Sequence, residues 1–294
     1  NYPKTYKNLQ RIKKKPKPKP HDYQKEAIQA VARRFKKADR GQLIMACGTG
    51  KTYTTLWIKE QLKSQCTLVL LPSLNLLAQT VREWTAASKS HLDVLCVCSD
   101  QSVGRRKNDD EVIQSVADAP FPVQSQPKEI AKFLKGDSDR VIFSTYQSSP
   151  LIEEVYKNKR LAPFDLVIAD EAHRCASAGK SDSAFTTILD NKKIRATKRL
   201  FTTATPRVYS TQIKKAAEDR GVEVFGMDDT SVFGEVFHTL SFGEAIARKP
   251  PLLTDYQVII VGVDDAMIAD WIENRELVTT ESGETVTDAE TLAA

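Results

Sequence analysis

Two short segments of the chain carry residues whose types and spacing suit phosphate chemistry. The first, Gly48–Thr52, reads Gly-Thr-Gly-Lys-Thr, follows the apolar run Leu43–Ala46 and precedes a stretch with helical period. Glycines let the backbone approach an anion and aim N–H groups at it, and a helix that begins there adds the positive end of its dipole. Lys51 would reach the β- and γ-phosphates of a nucleotide, and Thr52 would place its hydroxyl on Mg²⁺.

This phosphate loop departs at one position from the strict motif G-x-x-x-x-G-K-[ST], because the chain has Met45 where the motif has its first glycine. The strand–turn–helix context that the motif requires is present, so we predict that the loop binds ATP. A chance glycine turn without a ligand is the alternative. The predicted nucleotide contacts in the loop are Gly48, Thr49, Gly50, Lys51 and Thr52.

The second segment places two acids at the end of an apolar run. Leu166–Ala169 is followed directly by Asp170 and Glu171, the start of Asp-Glu-Ala-His. We predict that Asp170 holds Mg²⁺ opposite Thr52 and that Glu171 acts as general base, so that the two acids and Lys51 are the catalytic residues. The spacing is not that of the zinc-protease pattern H-E-x-x-H. Two acids that are merely exposed at a strand end remain the alternative.

The elements that must position these segments follow from the hydrophobic period along the chain. Strands are predicted at Gln42–Ala46, Thr67–Leu71, Leu92–Cys98, Arg140–Ser144, Leu166–Ala169, Arg199–Thr203 and Tyr256–Val263. Helices are predicted near 22–38, 51–63, 74–87, 128–135, 150–158, 183–190, 210–219 and 241–248. Such alternation predicts an α/β fold, a mostly parallel sheet with helices on both faces, which binds ligands at the carboxyl ends of its strands.

Two local features refine this outline. Asp22 is the predicted N-cap of the first helix, since a short polar side chain there can accept hydrogen bonds from free backbone N–H groups. Residues 99–127 lack a clear period and contain three prolines, so we predict a long surface insertion.

Charge and composition bound the remaining possibilities. The 294 residues carry a formal net charge of +5, with Lys and Arg but no acid in residues 1–20 and an acidic excess in residues 264–294. We predict a basic Lys/Pro-rich arm or linker over 1–21, one ATP-binding domain over 22–263, and an acidic lead over 264–294. No apolar run reaches the ~18 residues of a membrane span. The five cysteines lack zinc-ligand spacing, so we expect reduced thiols in a cytoplasmic protein with no membrane partner.

The phosphate loop and the acidic segment together resemble motifs I and II of superfamily 2 helicases and translocases of the DEAH type. Further segments fit the family in chain order. Tyr23-Gln24 resembles its Q motif, in which Gln24 would hydrogen-bond the adenine edge. Leu71–Ser73, continuing to Gln79-Thr80, resembles motif Ia, and Ser144–Gln147 resembles motif Ic; in the family both grip the nucleic-acid backbone.

Thr203–Pro206 resembles motif III, which couples the nucleotide state to nucleic-acid binding. The resemblance implies a RecA-like P-loop NTPase fold, that of the N-terminal motor lobe, with ATP and Mg²⁺ as cofactors and a second RecA-like lobe in the same parent chain. It implies nucleic-acid or coupling roles for Ser73, Gln79, Thr145, Gln147, His173, Thr203 and Thr205. Basic residues at 105–107 and at 192–199, Arg199 included, are further candidates for phosphate contacts, or simply solvated charges.

Within the superfamily the chain most resembles the motor of Type I and Type ISP restriction enzymes; the Type ISP enzymes fuse nuclease, motor, methyltransferase and target-recognition domains. This resemblance implies double-stranded DNA as the track, and translocation instead of strand separation. A strand-separating RNA or DNA helicase, a P-loop small-molecule kinase and a nucleotide-independent DNA-binding module remain open. Because a second lobe normally supplies arginine fingers, we expect slow ATP hydrolysis by these residues alone.

Overall fold

A computed structural model describes residues 16–98, 123–158, 160–178, 184–219, 224–255, 277–279 and 286–288. Its α-helices are α1 Asp22–Arg34, α2 Lys51–Leu62, α3 Leu74–Ala87, α4 Pro127–Leu134, α5 Ser149–Tyr156, α6 Thr211–Asp219, α7 Thr230–Phe233 and α8 Phe242–Ala247. Its strands are β1 Arg40–Met45, β2 Cys66–Leu71, β3 Asp93–Val97, β4 Val123–Gln124, β5 Arg140–Thr145, β6 Leu166–Asp170, β7 Ser177–Ala178, β8 Arg199–Thr203, β9 Val224–Phe225, β10 Glu235–Leu240, β11 Leu277–Thr279 and β12 Val286–Asp288.

Eight of these strands form one sheet in the order β10-β1-β8-β6-β2-β5-β3-β4. Every neighbouring pair in it is parallel. The register places Asp170 beside Thr202 and Leu71 beside Thr145, so the central strands end together at one edge. The sheet confirms the prediction of a mostly parallel α/β fold, and it brings segments that are far apart in sequence to a common edge.

Helices cover both faces of the sheet, as the sequence predicts. In β2, Leu68 and Leu70 pack into a core with α4, α5 and α6, whereas Val69 and Leu71 pack into a second core with α1, α2 and α3. Successive side chains of a strand point to opposite faces, so a strand buried on both faces must be apolar throughout. The continuous apolar run of β2 follows from this position in the middle of the sheet.

Two strands of the sheet, β10 and the two-residue β4, are absent from the sequence prediction. β10 pairs in parallel with β1 at the edge of the sheet, although Glu235–Leu240 has no continuous apolar run. Only Phe237 and Leu240 of this strand are buried. An edge strand that is half exposed tolerates Glu and His, and this mixed composition hides its strand character in the sequence.

Two helix predictions are wrong in detail. The first helix ends at Arg34 instead of residue 38, and its N-cap is His21, so that Asp22 is the first helical residue. The His21 backbone N–H donates to Gln24 Oε1 at 2.9 Å, which is the bond from the N-cap backbone to the third helical residue in a capping box. Of the helix predicted near 183–190, the described residues contain only the 3₁₀ turn Thr187–Leu189.

Other predictions lie partly or wholly outside the described residues. The predicted strand at 256–263 lies outside the described residues. Residues 99–122 of the predicted insertion also lie outside them. The end of that insertion is described, and it contains β4 and the first residue of α4.

None of the helices that the structure describes combines the length and apolar composition that a bilayer crossing requires. All five cysteines are free, and all except Cys47 are buried. Burial raises the thiol pKa of Cys66 and Cys98 to about 11 and that of Cys96 and Cys175 to about 12, so these four stay protonated and unreactive.

Candidate functional site

The phosphate loop turns through two glycines in the left-handed region. Gly48 has φ 79° and Gly50 has φ 78°, values that residues with a Cβ rarely adopt. A Cβ at Gly50 would lie 2.6 Å from Gln24 Nε2, and one at Gly48 would lie 3.1 Å from Leu253 Cδ2. Gly50 is also the N-cap of α2, so Lys51 begins the helix and its first backbone N–H groups are free for an anion.

Contacts with the start of α1 hold the loop in this shape. The Tyr23 hydroxyl donates to the Thr49 carbonyl at 3.2 Å, and Gln24 Nε2 lies 3.4 Å from the carbonyl oxygens of Thr49 and Gly50. Gln24 is buried. The structure therefore places Gln24 at the phosphate loop, beside the residues predicted to bind ATP, and the adenine contact stays a prediction.

The two threonines of the loop differ in their surroundings, because Thr49 is buried in the turn whereas Thr52 is partly exposed to solvent. The Thr49 hydroxyl donates to the Ala46 carbonyl at 2.6 Å, which closes the turn after β1. Thr52 lies in the first turn of α2, and its carbonyl oxygen accepts a hydrogen bond from Trp84 Nε1 of α3 at 2.9 Å. This bond holds the start of α2 against α3, and Thr52 remains partly exposed to solvent.

The acid turn Asp170–His173 lies at the end of β6. Asp170 is the last residue of the strand, and the Thr202 hydroxyl of β8 donates to its Oδ1 at 2.7 Å. Burial raises the pKa of Asp170 and the neighbouring Glu171 adds to this, while the bond from Thr202 opposes it. A partly desolvated carboxylate in this position would gain from a cation.

Glu171 adopts a left-handed backbone conformation, φ 49° and ψ 48°, which redirects the chain into the 3₁₀ helix Ala172–Cys175. Its carboxylate lies 3.5 Å from Lys51 Nζ and 3.4 Å from His173 Nδ1. Hydrogen bonding to His173 and the charge of Lys51 hold the Glu171 pKa below its ordinary value, so the residue is ionised at neutral pH. The phosphate loop and the acid turn thus meet at one point of the sheet edge.

The contact network extends from Glu171 to β8. His173 Nδ1 lies 2.9 Å from Thr203 Oγ1, and the Thr205 backbone N–H donates to the same hydroxyl oxygen at 3.2 Å. Thr205 itself is exposed. The residues predicted to couple nucleotide and nucleic acid through the acid turn are therefore in direct contact.

The donor set fits Mg²⁺ held jointly with a triphosphate. Asp170 supplies one carboxylate, Thr52 supplies a hydroxyl at the start of α2, and Mg²⁺ is typically held by one or two carboxylates together with substrate phosphates and water. Within the described part of the chain there is no cluster of three or more His, Cys, Asp or Glu that would form an all-protein metal site. Such a sparse set suits a metal that arrives with its nucleotide.

Of the residues predicted to contact nucleic acid, Ser73 follows β2, Gln79 lies in α3, and Thr145 and Gln147 lie at the end of β5 and in the turn after it. The side-chain hydrogen bonds of Ser73, Gln79 and Thr145 are short-range. The Ser73 hydroxyl caps α3 by accepting from the Leu76 N–H at 3.3 Å, and Gln79 Nε2 donates to Glu83 Oε1 at 2.8 Å. Gln79 is exposed.

The predicted pair after β5 is less open to solvent. Thr145 is buried, and its hydroxyl lies 3.0 Å from that of Ser148. Gln147 is half-buried in the 3₁₀ turn Tyr146–Ser148. The structure therefore brings none of the four predicted side chains, those of Ser73, Gln79, Thr145 and Gln147, into the Lys51–Glu171 contact.

Arg199 cannot be a phosphate contact. It is fully buried, donates to the Ile188 carbonyl at 3.0 Å and to Asn191 Oδ1 at 2.9 Å, and its pKa is lowered by burial to about 10. Arg199 starts β8 in the interior of the fold, so this residue of the basic run 192–199 packs in the core.

The sequence prediction assigns no individual role to three residues of the site. Thr202 bonds Asp170, the Tyr146 hydroxyl donates to the Asp170 carbonyl at 2.7 Å, and the Arg248 guanidinium lies 5.7 Å from the centroid of the Tyr23 ring. Thr202 directly precedes the segment that resembles motif III, and Tyr146 lies within the segment that resembles motif Ic, which is a usable signal. Arg248 follows α8, far along the chain, and no local pattern indicates its position.

Comparisons with known proteins identify the family of this chain. Residues 17–208 match the family described as Type III restriction enzyme, res subunit. Two proteins called probable helicase A859L, from African swine fever virus isolates Tick/Malawi/Lil 20-1/1983 and Tick/South Africa/Pretoriuskop Pr4/1996, are each 32% identical, over 197 and 204 residues. These matches cover 67% and 69% of this chain but 20% and 21% of the relatives, so the chain spans about a fifth of their length.

Two solved structures of Type ISP restriction–modification enzymes are also similar. A nuclease-deletion mutant of LlaGI in complex with a DNA substrate mimic shares 32% identity, with a TM-score of 0.60 over 88% of this chain and 22% of that one. LlaBIII bound to DNA shares 35% identity, with a TM-score of 0.65 over 80% of this chain and 16% of that one.

The fold and the comparisons lead to the same class of protein. The eight-stranded parallel sheet with a glycine loop after β1 is the RecA-like arrangement that the resemblance implies. The chain therefore belongs to the family of Type III restriction enzyme res subunits, and it is a superfamily 2 helicase-like ATPase domain related to Type ISP restriction enzymes.

Proposed function

We propose that this chain is the ATP-binding lobe of an ATP-dependent double-stranded DNA translocase, the motor of a restriction–modification enzyme. The observation that carries the proposal is the contact between Lys51 and Glu171, 3.5 Å apart although 120 residues separate them in sequence. It unites a phosphate-binding loop with a carboxylate turn at the carboxyl edge of the sheet. The similar Type ISP structures, one with a DNA substrate mimic and one bound to DNA, support DNA as the track.

Each residue of the edge has a distinct task in this proposal. The loop N–H groups and Lys51 neutralise the negative charge of the β- and γ-phosphates. Thr52 and Asp170 hold Mg²⁺, which supplies further positive charge to the phosphates. Glu171 orients a water and accepts its proton while the water oxygen bonds to the γ-phosphorus and ADP leaves with the bridging oxygen.

The neighbouring residues recognise the adenine base and couple the nucleotide state to nucleic-acid binding. Gln24 reads the adenine edge next to the loop. His173, Thr203 and Thr205 link the acid turn to β8. Backbone phosphates of the nucleic acid bind at the edge after β2 and β5, at Ser73, Gln79, Thr145 and Gln147.

We further propose the organisation of the parent protein. Residues 22–263 form the first RecA-like lobe, residues 1–21 a basic arm, and residues 264–294 an acidic lead to a second RecA-like lobe that supplies arginine fingers. Nuclease, methyltransferase and target-recognition domains would complete a Type ISP-like enzyme. Four buried free thiols support a reducing, cytoplasmic location.

The decisive experiment measures ATP turnover by the full-length parent protein without nucleic acid and with duplex DNA, single-stranded DNA or RNA. Stimulation by duplex DNA together with displacement of a triplex-forming strand, and without release of a duplex strand, is the expected result. ATP turnover that is stimulated by none of these nucleic acids would exclude a nucleic-acid motor. The isolated 294 residues should bind ATP weakly and turn it over slowly; a rate equal to that of the parent would contradict the need for a second lobe.

A strand-separating helicase is the second candidate, and the relatives described as probable helicases favour it. Release of a labelled strand from a duplex, dependent on ATP, would select this function. Failure of ATP analogues to bind the chain would instead favour a nucleotide-independent DNA-binding module.

A further inference from the structure

Tyr146 is a buried tyrosine whose hydroxyl serves the acid turn. Its side chain has no solvent exposure, its ring stacks on Phe185 with centroids 5.1 Å apart, and its hydroxyl donates to the Asp170 backbone carbonyl at 2.7 Å. The residue opens the 3₁₀ turn after β5, whereas Asp170 ends β6. β2 lies between these strands in the sheet, so the bond reaches past the end of β2.

The carbonyl that Tyr146 binds belongs to the peptide group that joins Asp170 to Glu171. Rotation of this peptide group changes φ of Glu171, and Glu171 already has the left-handed φ of 49° that side chains with a Cβ disfavour. Such a conformation persists where surrounding contacts over-determine it. Tyr146 supplies such a contact on the backbone, and Lys51 and His173 supply contacts on the carboxylate.

Tyr146 also belongs to the segment that resembles a nucleic-acid-gripping motif. Gln147 follows it directly, and Thr145 before it bonds Ser148 across the same turn. A shift of this turn would move the tyrosine hydroxyl and with it the peptide that orients Glu171. A short path from Gln147 to Glu171 therefore runs through the hydrogen bond between Tyr146 and Asp170.

We propose that Tyr146 is a positioning residue for ATP hydrolysis, whose hydroxyl aligns the Glu171 carboxylate and links it to the nucleic-acid edge after β5. The inference rests on the proposed function, since it assigns Glu171 the role of general base. It concerns the chemical step and its stimulation by DNA, and leaves nucleotide binding to the loop at Gly48–Thr52.

The test compares Tyr146→Phe with Tyr156→Phe in the full-length protein. Tyr156 is a matched control because it is also buried in the same core, and its hydroxyl also donates to a backbone carbonyl, that of Ala162, at 3.0 Å. Both changes keep the ring and remove a buried hydrogen bond to a backbone carbonyl, so both should lower the melting temperature. Tyr146→Phe also removes the hydrogen bond between the Tyr146 hydroxyl and the Cys175 thiol. Rates are measured well below the melting transition of each variant.

We expect Tyr146→Phe to lower kcat for DNA-stimulated hydrolysis about tenfold or more, because a misplaced catalytic group costs rate. KM for ATP and the affinity for a non-hydrolysable ATP analogue should stay within about twofold, since the lost contact acts on the chemical step. Tyr156→Phe should keep kcat within about twofold, because its bond lies outside the acid turn.

A second measurement uses the Glu171→Gln background under single-turnover conditions. If Tyr146 acts through Glu171, Tyr146→Phe should add little to the loss already caused by Glu171→Gln. A full additional tenfold loss there, or a wild-type kcat for Tyr146→Phe alone, would overturn the inference. An inactive wild-type protein would refute the proposed function itself, which separates the two failures.

Discussion

Two parts of the carboxyl edge of the sheet differ in the sequence separation of their side-chain contacts. They are the nucleotide edge, around Lys51 and Glu171, and the predicted nucleic-acid edge, around Ser73 and Thr145. At the nucleotide edge, Lys51 of α2 meets Glu171 after β6, and His173 meets Thr203 of β8 at 2.9 Å. These contacts join elements that lie far apart in the chain. They exist only because β1, β8 and β6 are neighbours in the sheet.

At the predicted nucleic-acid edge the side-chain hydrogen bonds of Ser73, Gln79 and Thr145 stay within one turn. Ser73 bonds Leu76, Gln79 bonds Glu83, and Thr145 pairs with a serine three residues on. Helix caps and i,i+4 pairs of this kind occur in any protein. Long-range polar contacts therefore identify a chemical site more securely than polar residues at a strand end, and mutation of each edge tests this difference.

The largest effect is expected for Lys51→Ala in the full-length protein. The change removes the ammonium that would face the phosphates, and loss of such a preorganised charge typically costs about 100-fold or more in rate. Steady-state ATP hydrolysis in the presence of duplex DNA measures it, with Lys36→Ala, an exposed lysine after α1, as control. Unchanged turnover in Lys51→Ala would refute the assignment of the phosphate loop.

Glu171→Gln should be nearly as severe for hydrolysis but should spare binding. The amide keeps the shape of the side chain and loses the base, for which a loss of about 100-fold or more is expected. Single-turnover hydrolysis and ATP-analogue affinity are measured together, with the exposed Glu154→Gln as control. A loss of analogue affinity equal to the loss of rate would show that Glu171 binds the nucleotide instead of activating water.

An intermediate effect is expected where the acid turn meets β8. His173→Ala and Thr203→Val each break the 2.9 Å contact, and a hydrogen bond of this type contributes about 1 kcal/mol. Each should reduce the stimulation of ATPase activity by DNA roughly fivefold. The double variant should be no worse than either single one, and additive losses would mean that the two residues act independently.

The smallest effect is expected at Ser73, where two roles can be separated. Ser73→Ala removes the cap of α3 and should cost about 1 kcal/mol of stability, whereas Ser73→Asp keeps a capping oxygen. If Ser73 also touches a DNA phosphate, the aspartate should weaken DNA binding by charge repulsion without lowering the melting temperature. Ser241→Ala, at the cap of α8, is the control for stability alone. Equal DNA affinity in Ser73→Asp and wild type would show that Ser73 caps α3 and does not contact a DNA phosphate.

Much of the fold could be predicted from local pattern. The buried strand β2 is apolar or β-branched throughout, as is β8 after Arg199, and the helices α2 and α3 begin within a residue of their predicted starts. β10 could not be predicted in this way, since an edge strand with Glu235 and His238 lacks a continuous apolar run. The cap of α1 was mispredicted because Gln24, three residues on, satisfies the His21 N–H.

Sequence by itself determined the chemical parts of this protein, namely a glycine turn that opens a helix, a lysine and a threonine at its start, and two acids at the end of an apolar strand. These are local properties, set by backbone sterics and by the period of apolar residues. Only the tertiary structure decided that Lys51 and Glu171 lie 3.5 Å apart, that Tyr146 and Thr202 hold Asp170, and that Arg199 is buried. Hydrophobic period specifies that a strand is buried but not which strands flank it, and strand order places these groups together.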